Sequence, residues 1–133
     1  MLIREYTESD LDALRSMHAS QGFDYPFPDL TDPIFVSKLV VEDDSGRAVM
    51  ASLARLTCEM YLLADGGAGN ARDRLTRLQA LHNVGQYDLL ARGLDDAHAW
   101  LPPRISRRFG LRLQSLGWIR DDTWTPYCRR LRD

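Results

Sequence analysis

Between Glu59 and Leu78 the sequence passes from an apolar run, Met60-Tyr61-Leu62-Leu63, through Gly66-Gly67-Ala68-Gly69 and into Asn70-Ala71-Arg72-Asp73-Arg74-Leu75. The three segments read in order as strand, turn and helix start. A helix begins with about four backbone N–H groups that lack intrahelical acceptors, at the positive end of the aligned peptide dipoles. Glycines let the preceding turn approach a phosphate closely, so the order is that of an anion site. The same run also serves as a plain connector, since short glycine runs punctuate turns.

A chain of 133 residues with 44% apolar composition predicts one domain, residues 1–133, with one core of ordinary size. The net charge of −2 gives no general argument for nucleic-acid binding, and no nucleic-acid partner is expected on that ground. Charge is unevenly spread, because residues 1–66 carry five basic and twelve acidic groups whereas residues 101–133 carry eight and three. Arg104, Arg107, Arg108 and Arg112, with Arg129 and Arg130 nearby in sequence, offer a weaker alternative, a nucleic-acid contact, against which the overall acidity argues. Cys58 and Cys128 are too few for a disulfide framework, and His18, His82 and His98 are too dispersed for a zinc site, so no metal is expected. With no signal-like apolar start and no run approaching 18 apolar residues, the expectation is a cytoplasmic protein without a membrane partner.

In chain order, Leu2–Tyr6 reads as a strand, and Thr7 with Asp10 as a capping box opening a helix that carries Leu11, Leu14 and Met17 and stops at Gly22. His18 borders that apolar stripe. Phe23-Asp24-Tyr25-Pro26-Phe27-Pro28 cannot continue a helix, because each proline restricts itself and the residue before it. Either the aromatics of this loop, Tyr25 and Phe27 among them, line a ligand pocket, or Phe23 and Phe27 fold inward as a lid on the core. Residues 36–42 and 48–57 are rich in Val and Leu and flank Asp43-Asp44-Ser45-Gly46, which predicts an antiparallel hairpin with a third strand at about residues 58–63. Leu75, Leu78, Leu81 or His82, Gly85 and Leu89 recur at helical steps up to Gly93. Residues 94–101 read as a strand stopped by Pro102-Pro103, residues 105–116 as a short helix ended by Gly117, and residues 118–131 as a closing strand or hairpin.

This order resembles the GNAT superfamily of acyl-CoA-dependent N-acyltransferases across essentially the whole chain. The resemblance rests on Ile3-Arg4 followed by Thr7-Glu8-Ser9-Asp10-Leu11, on Arg107–Trp118 as a helix ending in Gly and an aromatic, and on the glycine turn. It implies an α/β (α+β) fold with a mixed, mostly antiparallel central sheet of about six to seven strands flanked by helices. It also implies acetyl-CoA or another acyl-CoA as cosubstrate and a small-molecule or protein amine as acceptor. Gly69 and Ala71 match two positions of that family's pyrophosphate loop, whereas Gly66 stands where Gln or Arg is usual. Leu113 stands where many members place the tyrosine that protonates the departing thiolate.

The resemblance places Glu59 on the fourth strand, where the family often keeps a carboxylate, and marks it as candidate base. Residues two apart share a strand face, so Glu59 goes with Tyr61 and His98 with Trp100. If the two strands are neighbours, Glu59 and His98 form a catalytic pair that takes a proton from the amine through water. Tyr61, Gly67, Gly69, Asn70 and Ala71 then contact the acyl-CoA, and Tyr25, Phe27 and Trp100 the acceptor. The plainer alternative for Glu59 is a surface carboxylate countered by an arginine such as Arg55. At the level of the whole chain the alternative is a GNAT-like binding or regulatory module without catalysis, motivated by Gly66 and Leu113. Dimerisation through the terminal strands is compatible with either.

Overall fold

In the computed structural model, which describes residues 1–132, the elements follow in the order β1 (Leu2–Glu5), α1 (Leu11–Gln21), β2 (Phe35–Glu42), β3 (Ala48–Arg55), β4 (Cys58–Glu59), α2 (Ala71–Ala91), β5 (Ala97–His98) and α3 (Pro103–Ser115). A single 3-10 turn, Glu8–Asp10, leads into α1. The chain forms two compact units, one of Met1–Cys58 with Gly93–Asp96, the other of Glu59–Arg92 with Ala97 onward.

The first unit is an antiparallel sheet in the order β1-β2-β3, with α1 against β3. Its register sets Val40 opposite both Arg4 and Ala51, and Val40 is completely buried. Leu14 from α1 and Leu30 from the connecting loop close the cluster, and Tyr6, Phe27, Phe35 and Leu53 pack around it. The hairpin turn forms as its residue types require. The Asp43 carboxylate accepts the amides of Ser45 and Arg47, each at 3.0 Å, and Gly46 supplies a φ of +82°. At the start of α1 the Thr7 amide donates to the Asp10 carboxylate at 2.9 Å, and Gly22 ends the helix at a φ of +70°.

In the second unit Asn70 caps α2, its side chain accepting the Asp73 amide at 2.9 Å while its own amide donates to the Asp73 carboxylate at 3.1 Å. Of the expected stripe, Leu78, His82, Gly85 and Leu89 are half-buried, whereas Leu75 is exposed and Arg74 beside it is half-buried instead. Gly85 turns this stripe toward Met60, whose Cε is 3.9 Å from where a Cβ would stand. Pro103 opens α3 at a position where no amide is needed, and past its end the Trp118 amide returns to the Leu113 carbonyl at 3.0 Å across Gly117. No residue of α2 or α3 is fully buried.

The expected central sheet of six to seven strands does not form. The described residues instead hold a three-stranded antiparallel sheet and a separate two-stranded parallel one, β4 with β5. Three stretches account for the difference. Residues 60–63 stop pairing after Met60, leaving Tyr61 and Leu63 at 80% and 93% exposure, so the expected meander ends at β3. Residues 94–101 pair only at Ala97–His98. Residues 118–132 contain no strand, and Pro126 in their midst has no amide to give a ladder. Apolar, β-branched or aromatic composition becomes a strand only where a partner completes its hydrogen bonds.

Candidate functional site

The parallel pair aligns the two residues singled out as catalytic. The Met60 amide donates to the His98 carbonyl at 2.8 Å. In a parallel ladder the residue before such a donor lies directly across from the acceptor, so Glu59 faces His98, and side chains at paired positions point to the same side. Burial agrees, since Cys58 and Ala97 are half-buried while Glu59 and His98 are exposed. The alternation that hides two small residues therefore presents a carboxylate and an imidazole together.

Each of these two groups carries an aromatic neighbour. The neighbouring Glu59 carboxylate, as a hydrogen-bond acceptor and then through its charge, pushes the pKa of the Tyr61 phenol above its ordinary value. Trp100 stacks on His98 with ring centres 6.5 Å apart and planes 16° from parallel. A base, a polarisable donor and an exposed indole thus line one side of the strand pair. Arg55, the sequence-level counter-ion for Glu59, is engaged by Asp95 at 2.5 Å and by Asp96.

The glycine turn is more occupied than its sequence suggests. The Gly67 amide donates to the Asp65 carboxylate at 2.9 Å, and the Ala68 amide to the Asp65 carbonyl at 3.2 Å. Gly69 adopts a φ of +75°, and a Cβ there would lie 2.8 Å from an Asp73 oxygen, so glycine is required by both conformation and space. Arg74 donates to the carbonyls of Gly66 and Gly69, and Arg77 to that of Ala68. The amides of Gly66, Gly69, Ala71 and Arg72 keep no acceptor among the described residues, so four donors remain beside two carboxylates. The turn fits a phosphate in part: donors are present, but so is negative charge.

Tyr25 and Phe27 belong to the first unit and line an open cleft of about 1050 Å³ with Leu14, Met17, Phe35 and Leu53. His18 forms its floor, edge-on to Tyr25 at 4.8 Å and to Phe27 at 5.7 Å, and its Nε2 is buried without a hydrogen-bond partner among the described residues. Sequence spacing put His18 at the border of a stripe and missed its place in the cleft, which arises only when the proline loop folds back over α1. Leu113 is half-buried on α3, while Tyr87 and Tyr127 are 76% and 94% exposed. Among the described residues no cluster of His, Cys, Asp or Glu has metal-binding geometry, and no helix is long and apolar enough to cross a membrane. No protein-family profile, curated protein or solved structure matches the chain.

Proposed function

We propose that this chain is a divergent acyl-CoA-dependent N-acyltransferase whose proton-handling groups are Glu59 and His98, with a small-molecule or protein amine as acceptor. The observation that supports the reading best is the register of β4 and β5, which sets the Glu59 carboxylate and the His98 imidazole on one exposed face. The carboxylate attracts an ammonium group, whose first proton passes to water to leave a neutral amine, and a neutral imidazole accepts the second proton as the amine nitrogen bonds to the thioester carbon. The carbon–sulfur bond then breaks, and the thiolate takes a proton from a neighbouring donor; the Tyr61 phenol, protonated at neutral pH, is suited to that role. Trp100 gives the acceptor an apolar wall.

Titration calorimetry with acetyl-CoA and with CoA, followed by thiol release against a panel of amines, tests this reading. Saturable binding is expected, with His98→Gln and Glu59→Gln lowering turnover by about 100-fold or more while CoA affinity stays unchanged. Absence of saturable binding of either ligand at millimolar concentration removes it.

A second reading, a binding or regulatory module without catalysis, is favoured by Asp65 and Asp73, whose carboxylates take up the Gly67 and Asn70 amides. Acyl transfer that disappears in a folded Glu59→Ala protein rules this second reading out.

A further inference from the structure

The whole-chain charge of −2 conceals a segregation that coincides with the two compact units. The first unit carries five basic and twelve acidic residues, the second twelve and seven. Within the second unit no acidic residue occurs from Ala97 to Arg120, a stretch that includes all of α3 and five arginines. Arg104, Arg108 and Arg112 are spaced at successive helical i, i+4 positions and so form one row, flanked by Arg107. All four are exposed, and among the described residues none has an ion pair or a side-chain hydrogen bond. An uncompensated row of guanidinium groups is an electrostatic site for a polyanion.

We propose that this face of α3 binds the phosphate backbone of single-stranded nucleic acid, with Trp100 as a base-stacking platform. Successive guanidiniums along the row rise by about 6 Å, a step that lets each meet a separate phosphate of an extended strand. Trp100 is 56% exposed and stands three residues before the first turn of α3, a placement suited to an unpaired base. A membrane surface is disfavoured, because a helix lying in a bilayer interface must bury its apolar side in lipid. Of the apolar residues on α3 and at its end, Phe109, Leu113 and Leu116 are half-buried and so partly withdrawn from such a contact, while Ile105 and Leu111 are exposed.

The test is fluorescence anisotropy of a labelled 20-mer of deoxythymidine or uridine with the full chain at 50–200 mM salt. Engagement of three to four phosphates gives a log–log salt slope of about −2 to −3, which weakens binding about 20- to 50-fold across that range. The triple variant Arg104→Gln, Arg108→Gln, Arg112→Gln is expected to reduce the slope by about 2, and Trp100→Ala to weaken binding about 10-fold with the slope unchanged. Circular dichroism verifies that each variant is folded, and Arg107→Gln alone gives a milder second perturbation. No binding at 50 mM salt overturns the proposal. So does binding indifferent to both the triple variant and Trp100→Ala, or equal binding of polyglutamate or of vesicles rich in anionic lipid.

Discussion

Asp10 is the most consequential polar side chain of the first unit, and its removal gives a quantitative test of how that unit is held. It is 5% exposed, receives Arg4 Nη1 and Nη2 on its two oxygens at 2.8 Å each, and accepts the Thr7 amide at 2.9 Å. Asp10→Ala deletes charge-assisted bonds worth about 1.5–3 kcal/mol and a helix-start contact worth about 1 kcal/mol. Stranding a fully buried charge costs about 3–5 kcal/mol, but Arg4 keeps Glu42 at 2.7 Å and a 28% exposed side chain, so only part of that penalty applies. The expected loss is about 2–3 kcal/mol, which lowers the melting temperature of a small folding unit by about 8 °C or more. Acid provides an independent check, because the Arg4 guanidinium, then the Thr7 amide, hold the Asp10 carboxyl well below the usual carboxylate range. A depressed folded-state value contributes stability that is complete above the unfolded value of about 4 and is lost as pH falls below it. The gap between wild type and Asp10→Ala, read from circular-dichroism melts, is therefore widest near neutrality and closes below about pH 4. A variant that melts within about 2 °C of wild type at neutral pH, or a gap that is flat as acid is added, refutes the reasoning.

The remaining predictions concern single contacts. Leu14→Ala opens a cavity beside completely buried Val40 and is expected to cost about 2–4 kcal/mol, measured as a shift in the urea midpoint. Gly69→Ala forces a Cβ to 2.8 Å from an Asp73 oxygen at a φ of +75°, and is expected to destabilise the start of α2 by about 1–3 kcal/mol, seen as faster amide exchange at residues 70–75. Glu59→Gln removes the carboxylate that raises the Tyr61 phenol as a hydrogen-bond acceptor and through its charge, so the phenol's titration by NMR moves down toward the ordinary value of about 10; a curve that stays in place removes Glu59 as the cause.

Sequence reasoning succeeded where the deciding physics is local. The Thr7–Asp10 box, the Asp43 turn, the Asn70 start of α2, the helix termini at Gly22 and Gly117 and the stripe ending at Leu89 all arise from interactions within a few residues of one another. It failed where a strand needs a distant partner. Tyr61, Leu62 and Leu63 have strand-like composition, as do parts of residues 118–131, yet pairing stops at Met60 and never starts after Trp118. A period-two or apolar pattern reports that a segment is able to pair, while the ladder itself is a tertiary fact. The candidate site divides along the same line. Glu59 and His98 were legible as residue types two places from aromatics, but their alignment comes from one register bond between segments nearly forty residues apart.

The glycine turn was legible as a shape and not as a charge distribution, and magnitudes decide how well it holds an anion. The end of a helix attracts an anion by about 0.3–1 kcal/mol at an exposed position. A carboxylate about 4 Å from a phosphate charge repels it by about 1 kcal/mol in water and about 4 kcal/mol near a protein surface. With Asp65 and Asp73 both seated on the turn, repulsion equals or exceeds the attraction of the α2 terminus. A pyrophosphate placed there meets the remaining free amides beside the Asp65 and Asp73 carboxylates, so the turn favours weak affinity that strengthens when either carboxylate is neutralised. The other long helix of the second unit has the opposite balance, four arginines and no acid. A phosphate-bearing ligand of this unit is therefore drawn first to the arginines of α3, and the proton chemistry proposed for Glu59 and His98 has to be judged separately from it.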